Sequence, residues 1–493
     1  TTLTSFHRNR LSAENQITLD LLLYELNCEK MPGSTSLLAE PLGPSLGIQA
    51  QLPILLAEYP FRTQQDIADY LHLLQDLPRY FSDLIALEQE KSRQGVFQND
   101  LAVDGIIRQC SAFLADADTP ESHLLHTVFQ NKLQASSLFS EAERNLCLQT
   151  HEKLLTSCVF PAYRSLSDAL SSLRGKGTQN AGGLSRQEGG LSYYAYLLRS
   201  RVGVDASPEE LTRLLTQQLA DQCAEMQIIL DQNPSLSLSE QALVLPFSTP
   251  EEMLADLQNA VSEDFPVLSG IAYEVKTVDD SLKDFLSPAF YLTPPIDEPA
   301  ANVIYINHAA KYRRQNLHAA LAHEGYPGHL FQNCYFREKN KHPLRYVLNF
   351  PAYTEGYATY AEIYSYQFLD ATKEEIDLLQ NNAISTHCLY ALCDIGIHAK
   401  HWSQKKLSDF LANHGIVTAD NARAIYETII DSPGSYLPYT IGYLEICRIR
   451  DTFQKAAGKY YSPLLFHTFL LDIGPTSFPV LERQINGWLK EKT

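Results

Sequence analysis

Between His323 and His329 the chain reads His-Glu-Gly-Tyr-Pro-Gly-His, a stretch that a helix crosses only with a bulge or else ends at. Pro327 lacks an amide proton, and its ring clashes with the carbonyl of His323 in a helix. Gly328 opens backbone conformations that other residues avoid. A His-Glu pair followed by a second His is the pattern of a zinc hydrolase helix, where H-E-x-x-H sets both imidazoles on one face. Here the second His stands six residues after the first, and Pro327 occupies its usual place. A helix turns about 100° per residue, so a residue six on faces away. An outward bulge at Pro327-Gly328 would return His329 to the face of His323. The competing reading is a plain helix end with two unrelated histidines.

Catalytic zinc takes three protein ligands and keeps one position open. In one large class of zinc peptidases the third ligand is a Glu on the next helix. Glu355 lies 26 residues after His329, and Glu362 follows seven residues later. Two helical turns separate those carboxylates, which puts them on one face. Glu355 is expected as the ligand and Glu362 as the group that orients a ligand histidine; the alternative exchanges them. One Zn2+ ion held there lowers the pKa of a bound water to about 7 and polarises a carbonyl. Glu324 is placed to take the proton of that water and pass it to a leaving amine.

Elsewhere the apolar residues fall at helical spacing: Ile17, Leu21, Leu22 and Leu26; Ile67, Leu71 and Leu74; Phe160, Tyr163, Leu166, Leu170 and Leu173. Ser207-Pro208-Glu209-Glu210 and Thr249-Pro250-Glu251-Glu252 read as helix starts. Between about residues 270 and 307 the pattern changes to short β-branched or aromatic runs, Ala272–Val278, Phe290–Thr293 and Asn302–Asn307. These predict a small sheet just before the His-Glu helix of a mainly α protein. Asn302–Asn307 is a candidate edge strand for an extended peptide. The Gly-rich stretch from Arg174 to Gly190 reads as a loop that borders a cleft, without the order of a phosphate loop. No linker separates independent domains, so a single unit is expected, with approximate lobes at 1–270 and 271–493.

A net charge of -19 argues against nucleic acid as a partner, since such binding needs clustered cations. No apolar run approaches the roughly 20 residues of a membrane span. The nine Cys residues are scattered, odd in number and without C-x-x-C, which argues against a disulfide framework or a cysteine-ligated zinc. The first residue is Thr1. Removal of an upstream signal or lipid-anchor segment is one expectation, which makes the protein secreted or a surface lipoprotein; a cytoplasmic protein is the other.

The His-Glu-x-x-Pro-Gly-His stretch, with Glu355-Gly-Tyr-Ala-Thr-Tyr-Ala-Glu362, resembles the bacterial "domain of unknown function 885" family of metal-dependent peptidase-like proteins. Phe160-Pro-Ala-Tyr163, Gly190-Leu-Ser-Tyr-Tyr194, Asp394-Ile-Gly-Ile-His398 with Trp402, Pro433-Gly434 with Tyr439 and Gly442, and Phe466-His467 resemble further blocks. The likeness runs from about residue 150 to the end. Leu330 and Ser435 depart from it, where the family commonly has His and Gln.

The family's sites resemble those of the helical zinc peptidases related to thimet oligopeptidase and angiotensin-converting enzyme. That implies a large two-lobed helical fold around a deep cleft and a peptide substrate. Its place in the Pro-Gly block makes Tyr439 the candidate hydroxyl donor to a developing oxyanion, with Tyr436 and Tyr443 as rivals. His398 is either a substrate or oxyanion contact or a satisfied core histidine. Arg450 is either a fork for a substrate carboxylate or part of a solvated face. His387 and His467 are read as structural. The same machinery also serves a non-peptide amide or ester. A non-catalytic binding protein on this scaffold is the third reading, and the presence of base and ligands argues against it.

Overall fold

A computed structural model describes residues 3–44, 47–177, 183–236, 247, 249–268, 270–279, 283, 286–308, 314–339, 341–415 and 419–492. Of the described residues, 71% are helix and 3% strand. Local chemistry sets many helix starts. Ser207 Oγ accepts the Glu210 amide at 3.2 Å, and the Glu210 carboxylate accepts the Ser207 amide at 2.9 Å. That reciprocal cap satisfies two orphan donors and opens the Pro208–Gln232 helix. Thr249 and Glu252 do the same for Pro250–Ala260.

The apolar stripes bury as their spacing predicts. Ile67 and Leu74 of the Gln64–Arg93 helix join Phe160, Tyr163, Leu166, Leu170 and Leu173 of the Phe160–Leu173 helix in one core. That core draws only on residues between Leu42 and Leu173. A second core gathers the Pro250–Ala260 helix, the sheet and the C-terminal helices. Ile17 and Leu21 of the Ala13–Cys28 helix belong to this second core. Glu14 ties that helix down, accepting from Lys341 Nζ at 2.8 Å and from buried Arg345 Nη1 at 2.9 Å. Within the Gly-rich stretch, residues 178–182 lie outside the described residues.

Three strands form the sheet: β1 (Tyr273–Thr277), β2 (Ala289–Leu292) and β3 (Asn302–Ile306). Their order is β1-β3-β2, with β1 parallel and β2 antiparallel to β3. This corrects the expectation of an edge strand at Asn302–Asn307. β3 is central, and the reason is burial: its Val303, Ile304 and Ile306 are all buried, and a strand covered on both faces takes the middle. The edge that meets the His-Glu helix is β2, against which the Arg314–Glu324 helix packs. Among the described residues no helix is long and apolar enough to cross a membrane.

Candidate metal centre

The Arg314–Glu324 helix stops at Glu324, and a new helix, His329–Glu338, begins at His329 itself. The expected bulge in one continuous helix is therefore a full break. The reason is the hydrogen bonding. The Gly328 amide turns back to the Ala322 carbonyl at 3.0 Å, and the Phe331 amide reaches the Gly325 carbonyl at 3.2 Å. The Tyr326–Pro327 peptide is cis. A Cβ on Gly328 would lie 1.7 Å from the His323 carbonyl oxygen, so only glycine lets the chain fold back this closely. Tyr357, from the Pro351–Ser365 helix, donates its hydroxyl to the Pro327 carbonyl at 3.0 Å and holds the turn. The outcome is that the two imidazoles meet, with ring centroids 4.8 Å apart and planes at 83°.

Glu355 lies against both rings. Its Oε2 stands 3.4 Å from His323 Nε2 and 3.4 Å from His329 Nε2. That oxygen is buried and satisfied by no hydrogen-bond donor. Zinc bonds of about 2.0–2.2 Å in a tetrahedron put neighbouring donor atoms about 3.3–3.5 Å apart. The two distances match the edges of such a site, and an orphaned buried carboxylate oxygen facing two imidazoles fits a cation. Glu362 approaches from the other side of His323, with Oε2 3.1 Å from Nδ1. A carboxylate there accepts the Nδ1–H hydrogen bond, so that in the neutral ring the Nε2 lone pair faces Glu355. Burial opposes charge on His323, but Glu355 and Glu362 outweigh it and hold the imidazole well above its ordinary value. Burial also works to raise Glu355; the imidazoles, His329 foremost, carry it well below the usual carboxylate range.

Glu324 offers a further donor beside His323, His329 and Glu355. Among the described residues, His323, Glu324 and His329 have ligand atoms within 4.8 Å of one another. Glu324 Oε2 is already held by the Tyr291 amide at 2.8 Å. Burial raises its pKa against the pull of His329 and His323, which favours a group that accepts a proton.

Tyr439 completes the cluster. Its ring lies 5.8 Å from that of His323, close enough to Glu355 for that carboxylate to act on the phenol. Burial, with the Glu355 and Glu324 carboxylates, pushes the phenol well above its ordinary value and keeps it a donor. Two glycines set this closeness. A Cβ on Gly356 would lie 2.3 Å from the Gly442 carbonyl carbon, and one on Gly442 2.1 Å from the Ala352 oxygen. The Pro351–Ser365 and Leu437–Ala457 helices thus cross backbone to backbone, with Glu355 and Tyr439 beside the crossing.

Other residues singled out from sequence have different partners. Tyr436 stacks on Tyr390 at 4.9 Å. Tyr443 is buried beside Cys447. Arg450 Nη2 pairs with Asp451 at 3.3 Å, and the guanidinium also meets Tyr360. His398 is a satisfied core histidine: its Nδ1 accepts the Leu184 amide at 3.2 Å, and its Nε2 meets the Ile429 carbonyl at 2.8 Å. Both ring nitrogens are used in linking chain segments, in keeping with the core-histidine alternative of the two readings. His467 is tied likewise, to the Asp264 carbonyl and the Tyr360 hydroxyl. His387, read as structural, comes close enough for the charges of Glu362 and His323 to act on it, and burial holds it below its ordinary value.

Burial depresses His398 and His467 to about 4 and His151 to about 3, from 6.5. At these three sites the unfolded chain binds more protons than the folded one, so their contribution to stability is full above pH 6.5 and falls as pH drops towards 4, while Asp394 and Glu40, raised by burial to about 7 and about 8, act in the opposite sense. The imidazole signals of these three histidines, followed by NMR from pH 7.5 to 4.5, will stay those of neutral rings; protonation near pH 6.5 refutes the neutral buried histidines.

A crystal structure described as "the putative lipoprotein from Colwellia psychrerythraea" is similar over 92% of this chain and 81% of that one, with a TM-score of 0.79 and 20% identity. A second, "a putative lipoprotein of unknown function from Shewanella oneidensis", is similar over 98% and 90%, with a TM-score of 0.63 and 14% identity. At these identities the likeness is one of fold. No curated protein matches the chain. Residues 1–485 match the family described as "Bacterial protein of unknown function (DUF885)". The likeness read from about residue 150 onward thus extends to the start of the chain, and the protein belongs to this family.

Proposed function

We propose that the protein is a zinc-dependent metallopeptidase that hydrolyses peptide bonds. The observation that carries this reading is Glu355 Oε2, set 3.4 Å from both imidazole Nε2 atoms with no donor of its own. His323, His329 and Glu355 would hold one Zn2+ ion, and Glu362 fixes the tautomer of His323. When bound, zinc supplies Lewis acidity towards a carbonyl oxygen and a water whose pKa is about 7. Glu324 accepts the proton of the attacking water on the carboxylate oxygen that Tyr291 leaves free, and delivers it to the leaving amine. Tyr439 donates its hydroxyl to the oxygen on which negative charge develops. A two-lobed arrangement around a deep cleft belongs to the same reading. The two similar structures are described as "putative lipoprotein", which supports a secreted or surface-anchored setting.

The test is metal content together with turnover. After repletion the purified protein should hold one equivalent of zinc and cleave members of a mixed peptide library, read by mass spectrometry. Chelation should abolish cleavage and zinc should restore it. Less than about half an equivalent of zinc refutes the centre. Full zinc with no peptide cleavage, but turnover of esters or non-peptide amides, refutes the substrate class and leaves the hydrolase.

A further inference from the structure

Strand β2 meets the centre through one backbone amide, that of Tyr291, which donates to Glu324 Oε2 at 2.8 Å. The side chain of the same residue is held from a different direction. Its hydroxyl donates to Asn302 Oδ1 at 2.7 Å and accepts from Asn333 Nδ2 at 2.7 Å. Asn302 is fixed in turn, since its Nδ2 donates to the Ala272 carbonyl at 3.0 Å. Asn333 stands one turn after His329 on the His329–Glu338 helix, and Arg337 one turn further. Arg337 Nε donates to Asn333 Oδ1 at 3.3 Å. Its Nη2 and Nη1 donate to the Pro294 and Pro295 carbonyls at 2.8 and 3.1 Å, just past the end of β2.

One face of one helix therefore carries a ligand histidine, a grip on the Tyr291 hydroxyl and a clamp on the chain beyond it. Tyr291 joins that helix to the carboxylate that ends the preceding one. A carboxylate presents two equivalent oxygens and turns about its last bond. The Tyr291 amide removes that freedom by holding Oε2, and only the other oxygen remains for a proton. The amide can do this only while β2 keeps its distance from Glu324, which the hydroxyl contacts hold together with the pairing of β2 to β3.

We propose that Tyr291 and Asn333 are positioning residues that orient Glu324, acting as a single strut from the His329 helix through β2. The hydrogen bonds stand by themselves; the consequence for turnover rests on the peptidase reading of Glu324. A displacement near 1 Å at a reacting group costs about 10²-fold in rate, which sets the size of the effect.

Two substitutions separate the contacts. Tyr291→Phe keeps the ring and the amide but removes the hydroxyl. Asn333→Asp keeps an acceptor for Arg337 but removes the donor to Tyr291. Hydrogen exchange of the zinc-loaded full chain, read by mass spectrometry on the β2 peptide, reports the Tyr291 amide without any substrate. In each variant that amide should exchange at least about tenfold faster. Zinc should stay at one equivalent. The kcat on a cleaved peptide should fall about 10²-fold, with KM within about threefold. The double variant should be no worse than either single one, as for residues in one unit. Unchanged exchange at Tyr291 overturns the strut, and so do additive losses. If the wild type cleaves no peptide, the exchange result alone decides the strut. If Glu324→Gln abolishes turnover while neither strut variant lowers kcat, the strut fails and the peptidase reading stands.

Discussion

Glu324→Gln lowers peptide turnover by about 10²–10⁴-fold, the range of a lost general base, and leaves zinc binding intact. The substitution is nearly isosteric. The amide oxygen of Gln can still accept the Tyr291 N–H, which lies 2.8 Å from Glu324 Oε2, so the local fold has no cause to change. The proposed ligand distances, from Glu355 Oε2 to His323 and His329, do not involve Glu324. What Gln lacks is a lone pair basic enough to take a proton from water. Burial already raises the Glu324 pKa despite two neighbouring imidazoles, and that basicity is lost. Full zinc with rates within about threefold of wild type would remove Glu324 from the proton path. Loss of zinc in the variant would instead make Glu324 a ligand, as its place within 4.8 Å of both histidine donors allows.

Gly328→Ala is the second large effect, and it reaches stability and metal together. The added Cβ would meet the His323 oxygen at 1.7 Å, the His323 carbonyl carbon at 2.4 Å and the Ala322 oxygen at 2.5 Å. All three are backbone atoms, and none can swing aside as a side chain does. Either the turn opens or the Arg314–Glu324 helix gives way at its end, and in both cases His329 leaves His323. The expected destabilisation is at the top of the overpacking range, about 3 kcal/mol. Zinc should raise the thermal midpoint of the wild type, because a ligand bound only to the folded state stabilises it; in Gly328→Ala that gain should vanish. Gly487→Ala is the matched control. Nothing lies within 4 Å of its Cβ, and an exposed helical glycine gains about 0.5–1 kcal/mol from Ala. Equal behaviour of the two variants would refute the steric account.

What could be read in advance was what depends on near neighbours in the chain. Ser207 with Glu210, and Thr249 with Glu252, announce helix starts because donor and acceptor lie within one turn. The three short runs before the His-Glu helix announce strands because β-branched and aromatic residue types are read locally. The meeting of His323, His329 and Glu355 was legible because spacing and residue type already match a ligand set. Strand order was not, since Asn302–Ile306 becomes central only when Tyr273–Thr277 and Ala289–Leu292 arrive on both sides. The Pro-Gly break was half legible. Proline's missing donor is a property of the residue, but a fresh helix start at His329 depends on Tyr357 gripping the Pro327 carbonyl from another helix. His398 shows the same limit, because its partners at Leu184 and Ile429 come from distant segments. Tyr291 and Asn333 carried no signal at all: one is an ordinary strand aromatic and the other an ordinary helical amide.

The backbone contact at Gly356 and Gly442 has a meaning for anyone who would re-engineer this protein. Where helices are spaced by side chains, each repacking of the interface shifts the groups they carry. Here main-chain atoms act as the spacer, so the separation of Glu355 and Tyr439 is insulated from volume changes elsewhere in the interface. Apolar residues such as Ile446, buried in the same core, are therefore open to redesign without retuning the distance between those two groups, so long as the two glycines are left alone.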